Sequence, residues 1–68
     1  MNRQAVSSSN IHSIGYENNT LEIEFNNGSI YQYHGVPITR YSSLMSASSY
    51  GRYFHTFIEP FYNGIKIH

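Results

Sequence analysis

Hydrophobic and polar positions alternate from Thr20 to Phe25: Leu21, Ile23 and Phe25 fall on one side, Thr20, Glu22 and Glu24 on the other. That period of two is the signature of a strand with one buried face. Beyond Asn26-Asn27-Gly28, the run Ser29 to His34 reads as its antiparallel partner, and Gly35-Val36-Pro37 ends the sheet. Two registers fit the turn. A two-residue loop at Asn27-Gly28 sets Phe25 opposite Ile30 and leaves Tyr31 and Tyr33 beside Glu24 and Glu22 on the wet face. A three-residue loop with Gly28 left-handed sets Tyr31 opposite Ile23 and Tyr33 opposite Leu21, because a slip of one residue turns every side chain over. The three-residue loop is favoured: it puts both rings with the core and leaves Gln32 and His34 beside the glutamates.

The rest of the chain arranges itself around this hairpin. Residues 1–9 are polar and end in Ser7-Ser8-Ser9, which reads as a flexible N-terminal arm. Residues 10–68 then form a single domain. A first strand is expected over residues 11–16, with Gly15 marking a bulge or a close approach. Glu17-Asn18-Asn19 is a turn, since asparagine tolerates a positive φ. After Pro37, the residues Ile38, Tyr41, Leu44 and Met45 recur at helical spacing, predicting a helix over residues 37–46. The serine-rich break at residues 46–49 offers Ser48 or Ser49 as N-cap of a second helix, residues 49–58, carrying Tyr50, Phe54, Phe57 and Ile58 on one side. Glu59-Pro60 stops it. The tail alternates after Gly64 and can add an edge strand. The expected fold is α+β: a three- to four-stranded antiparallel meander sheet with two short helices packed on one face.

Size sharpens this picture. A chain of 68 residues buries only about 60 % of the surface its unfolded form exposes. It has no cysteine, so neither disulfides nor thiolate–metal sites assist. Packing must do the work, and seven Tyr with four Phe supply the area. Three Arg and one Lys balance four Glu, with a pI near 6.9. That argues against a protein that grips a long duplex through its phosphates. A ligand with one or two phosphates needs only a few donors. The first residues lack the apolar run of a signal peptide, and nothing approaches the roughly 18 apolar residues of a membrane span. A cytoplasmic location is the expectation.

One set of motifs adds to this reading. In order along the chain stand Ile14-Gly15-Tyr16, the alternating Leu21 to Phe25, the glycine turn, Ile30 to Pro37 with a central Tyr31-Gln32-Tyr33, and Gly51 to Ile58. Together they resemble the KTSC domain, a family of short bacterial and phage domains that are also appended to some lysyl-tRNA synthetases. The resemblance spans roughly residues 5–66. It implies no established activity; RNA binding is suggested by the company of the synthetase. At one position the chain departs from the expected pattern: His55 stands where an asparagine is expected.

The candidate chemistry is recognition. Ser48 and Ser49 at a helix start, with Arg52 one turn on, form a candidate phosphate site; the same residues also suit a plain serine cap beside a solvated arginine. Tyr31, Tyr33, Tyr50 and Tyr53 are candidates for stacking on bases, and the first two equally suit a core. Arg40, His55 and Lys66 are further candidate phosphate contacts. The four histidines show no metal-ligand spacing. Glu22 and Glu24, two apart on one strand, make no catalytic carboxylate pair, and there is no nucleophile elbow. The expected activity is therefore non-enzymatic binding of a nucleotide or short single-stranded nucleic acid, without cofactor or metal. A chain this small cannot enclose such a ligand alone, so a homo-oligomer with the site between subunits is expected. The competing expectation is a protein-interaction module with no small ligand, using exposed tyrosines and the tail strand.

Overall fold

The computed structural model describes residues 1–68. The central hairpin pairs a strand Thr20–Phe25 with a strand Ile30–His34, setting Leu21 against Tyr33 and Ile23 against Tyr31. This is the three-residue-loop register. Gly28 adopts a φ of 92° in the turn, a conformation that glycine reaches without cost. Before the hairpin lies a strand Ile11–Glu17, joined to it by Asn18 and Asn19 at φ 51° and 61°. That turn matches the asparagine signal.

The sheet has five strands rather than three or four. In chain order they are β1 (Arg3–Ala5), β2 (Ile11–Glu17), β3 (Thr20–Phe25), β4 (Ile30–His34) and β5 (Gly64–Lys66), and their order across the sheet is the same. All pairs are antiparallel. The tail strand expected after Gly64 is present as β5. The first nine residues, expected as a loose arm, contribute β1. What ties β1 down is a polar cluster on the outer face of the sheet. Arg3 lies across Gly15, donates to Ser13 (2.9 Å) and pairs with Glu22, whose other oxygen accepts from Gln32 (2.8 Å). A Cβ at Gly15 would fall 2.9 Å from Arg3 Cγ. The glycine is thus the close approach anticipated, and an arginine side chain is what fills it.

The inner face carries the core. Ile11, Ile14, Leu21, Ile23 and Tyr33 from the sheet meet Val36, Leu44, Phe54 and Ile58, all buried. Two helical pieces cover this face: α1 (Ile38–Ser46), and α2 (Tyr50–Tyr53) running directly into a π-helical segment, Phe54–Ile58. Glu59 N–H reaches the Phe54 carbonyl at 2.9 Å, the i→i+5 bond that widens this turn. The sequence predicted one continuous helix here; its bounds hold, but its last turn is wide. Phe54, fully buried, has Phe25 and Tyr33 edge-on at 5.7 and 5.4 Å between centroids. Tyr16 stacks on Tyr41 at 4.7 Å and donates to the Val36 carbonyl at 2.6 Å, fastening α1 and the loop before it to β2.

Candidate functional site

The helical layer holds a shallow groove of about 260 Å³, lined by Ala47, Ser48, Ser49, Arg52, Tyr53, Thr56 and Phe57. Local sequence explains its walls. Ser49 stands in extended conformation ahead of α2, and its hydroxyl oxygen accepts the Arg52 N–H at 3.2 Å. It is the N-cap, and Ser48 is the residue before it. One turn on, Arg52 projects to solvent with its guanidinium unpaired. Tyr53 and Phe57 form the apolar wall, their rings 4.7 Å apart and tilted by 36°. Phe57 belongs to the π-helical segment, which buries Phe54 and Ile58 while Phe57 stays 41 % exposed.

Arg40 braces this wall from α1. It donates to the Tyr53 hydroxyl at 3.1 Å and lies 5.4 Å over the Phe57 ring. The hydrogen bond to Tyr53 holds the Arg40 pKa above its ordinary value. The groove therefore combines two aromatic rings, two serine hydroxyls and a free guanidinium, with a second guanidinium behind the rings. Such a set suits a flat ring system carrying an anionic group.

Of the residues singled out in the sequence, Ser48, Ser49, Arg52 and Tyr53 come together here, with Arg40 adjoining. Five others do not line the groove, Tyr31 among them. Tyr33 is only 5 % exposed and packed in the core, stacked beside Tyr31 and edge-on to Phe54. Burial, with Glu59 and Tyr31 adding, pushes its hydroxyl pKa up to about 12. No base can stack on it. Tyr50 is half-buried against the core. His55 has both ring nitrogens engaged, Nδ1 donating to Glu59 (2.8 Å) and Nε2 accepting from Asn10 Nδ2 (3.3 Å). Lys66 sits on β5 opposite Tyr31. Phe57 and Thr56 were not marked as site residues. The signal for Phe57 was its spacing four after Tyr53, which puts two rings on one helix side. Periodicity alone assigned that ring to the core.

A second depression, about 320 Å³, is lined by Ser9, Asn10, Phe25, Asn26 and Asn27. Much of its polarity is already committed: Asn26 donates to the Ser8 carbonyl, and Asn27 caps the Ser29 N–H. No three His, Asp or Glu side chains lie together as a metal site would require. No helix is long and apolar enough to cross a membrane.

Comparison with known proteins adds context to this geometry. The sequence profile of the KTSC domain matches residues 7–62. An uncharacterized protein of Stutzerimonas stutzeri is 40 % identical over 62 residues, covering 88 % of this chain and 87 % of that protein. A lysine–tRNA ligase of a Nostoc species is 52 % identical over 40 residues, which is 59 % of this chain and 7 % of the ligase. The crystal structure of a KTSC domain protein from Yersinia pestis superposes with a TM-score of 0.94 at 46 % identity, covering 98 % of this chain and 97 % of that one.

Proposed function

The chain belongs to the KTSC domain family, and from that premise we propose that it is a cytoplasmic, non-enzymatic module that recognises a nucleotide or short single-stranded nucleic acid. The observation that carries the reading is the groove at the start of α2. Tyr53 and Phe57 offer ring faces to a base, while Arg52, Ser48 and Ser49 offer donors to a phosphate. A base–aromatic stack contributes about 1–3 kcal/mol. At about 260 Å³ the groove lies below the usual range of enclosed ligand pockets, roughly 300–1,000 Å³. It suits one nucleotide unit rather than a long tract. The balanced net charge points the same way. The match to part of a lysine–tRNA ligase supports a ligand of nucleic-acid chemistry. Enclosing a free nucleotide would take a second copy, so sequestration between subunits is part of this reading.

The test is a thermal-shift screen of the purified chain against mono- and dinucleotides and short RNA. A ligand at tenfold its dissociation constant stabilises by about 1.4 kcal/mol, several degrees for so small a domain. Arg52→Ala, at an exposed position, should abolish the shift without lowering the unliganded Tm, and added salt should weaken binding. A panel that leaves the wild-type Tm unmoved overturns the reading. It would leave the protein-interaction module, favoured by Phe61 at 71 % and Ile38 at 61 % exposure.

A further inference from the structure

β5 is the last strand of an open sheet, so one side of its backbone is unpaired. The paired side fixes the phase of the free one. Ile67 N–H bonds to the Ile30 carbonyl, and Ile65 pairs with Gln32. Alternation along the strand therefore turns the N–H and C=O groups of Gly64 and Lys66 outward. An unpaired edge of this kind is a template for another strand. Its outer face carries no charge: Ile65 and Ile67 stand there at 47 % and 49 % exposure.

We propose that two copies of this chain join through their β5 edges, antiparallel about a twofold axis centred on Ile65, into one continuous sheet. In that register Gly64 of each copy exchanges backbone hydrogen bonds with the partner's Lys66. The two Ile65 side chains meet on the outer face as a close pair, about 4.5 Å between Cα atoms. Centring the axis on Lys66 instead would set two cations opposite each other, which opposes pairing.

The inner face supplies the complement for the incoming lysine. Gly64 lies directly against Tyr33: a Cβ there would fall 2.7 Å from its ring and 3.1 Å from its hydroxyl. The tyrosine ring therefore fills the place a side chain at position 64 would take, and the partner's Lys66, paired with Gly64, comes to lie beside that ring. The Tyr33 hydroxyl, unlike those of Tyr16 and Tyr53, makes no hydrogen bond within the chain. Glu59 is near enough for its charge to act on Tyr33, so an arriving ammonium meets an acceptor and a carboxylate. A second copy satisfies every one of these features with the same short segment, which makes the contact isologous and closed. It uses no residue lining the groove and needs no ligand.

Sedimentation equilibrium of the full chain, from micromolar to millimolar, tests this. The wild-type mass should rise from 7.9 kDa toward twice that value and stop. Ile65→Lys should weaken association roughly tenfold or more by setting two charges face to face, and Lys66→Glu should do likewise against Glu59. Combining Lys66→Glu with Glu59→Lys should restore it. Circular dichroism confirms that these exposed substitutions leave the fold intact. A wild-type monomer throughout overturns the proposal, as does a dimer indifferent to the substitutions. A mass climbing past the dimer also overturns it, since that would mean β5 meeting β1 in an open chain. Arg52→Ala should leave the mass unchanged while removing any nucleotide-induced shift, so failure of this interface and failure of the groove are separable.

Discussion

Replacing Arg3 by alanine removes the side chain that holds β1 to the sheet. Glu22, 5 % exposed, would keep only the Gln32 amide, and Ser13 would lose its arginine donor. Stranding one partner of a fully buried pair costs about 3–5 kcal/mol. Here the Arg3 side chain is 27 % exposed, so solvent screens part of the interaction, and a hydrogen bond to a charged group contributes about 1.5–3 kcal/mol. The expected loss is about 2 kcal/mol at neutral pH, against a total of roughly 3–10 kcal/mol for a domain of this length. In a thermal melt that is a fall on the order of 8–16 °C. The pH dependence gives an independent check. Burial pushes the Glu22 pKa up, but the bonds from Gln32 and Arg3 and the arginine's charge outweigh it, so the folded value lies below the ordinary 4.5. A carboxyl shifted down stabilises the fold fully above 4.5 and loses that contribution as pH falls through the folded value. The gap between wild type and Arg3→Ala, measured by urea denaturation, should therefore be complete at neutral pH and narrow in acid. A gap under about 0.5 kcal/mol at neutral pH, within the noise of ordinary surface substitutions, would refute the argument. So would a gap that stays constant down to about pH 2.5.

Two further outcomes follow from named contacts. A Cβ on Gly51 would fall 2.6 Å from Asn10 Oδ1, so Gly51→Ala should destabilise the wild type by displacing Asn10 from Ser8 and His55; in an Asn10→Ala background it should instead stabilise by about 0.5–1 kcal/mol, the ordinary helix gain over glycine, and urea denaturation of the four proteins decides. The Tyr33 hydroxyl, held protonated up to about 12 in the fold against 10.0 unperturbed, contributes stability that is complete below 10 and lost as pH rises toward 12, so Tyr33→Phe should flatten the alkaline limb of the stability curve, and an unchanged limb would contradict it.

The sheet centre was legible because its signals are local. A two-residue period, one glycine at the turn and two tyrosines that only one register buries fixed the β3–β4 pairing. Ser49 as a cap and Pro60 as a stop bounded the second helix in the same way. β1 was not legible. Arg3-Gln4-Ala5 is too short to carry a periodicity, and the strand exists because Arg3 finds Glu22, 19 residues away, across a glycine. The widened turn at Phe54–Ile58 was equally hidden, since helical periodicity does not distinguish i→i+4 from i→i+5. Within the groove, polar chemistry was readable from a serine cap and an arginine one turn later. Half of its aromatic wall was readable too, since Tyr53 stood among the stacking candidates; Phe57 was not, because helical spacing assigns it to the core until the wide turn shows which rings remain outside.

Because strand order across the sheet repeats strand order along the chain, every strand finds its partner next door, with the longest step between β4 and β5, where both helical pieces intervene. Loop-closure entropy is then small for each of the first pairings, and a chain built from neighbouring contacts folds fast for a β-rich protein. Assembly should start at the β2–β3–β4 meander, whose turns close over two or three residues, and end with β5, which must wait for the helices to settle. Opening runs in reverse. Amide exchange should be slowest around Ile14, Ile23 and Tyr33 and fastest at Arg3–Ala5 and Gly64–Lys66, which makes the last strand to arrive the first to come free.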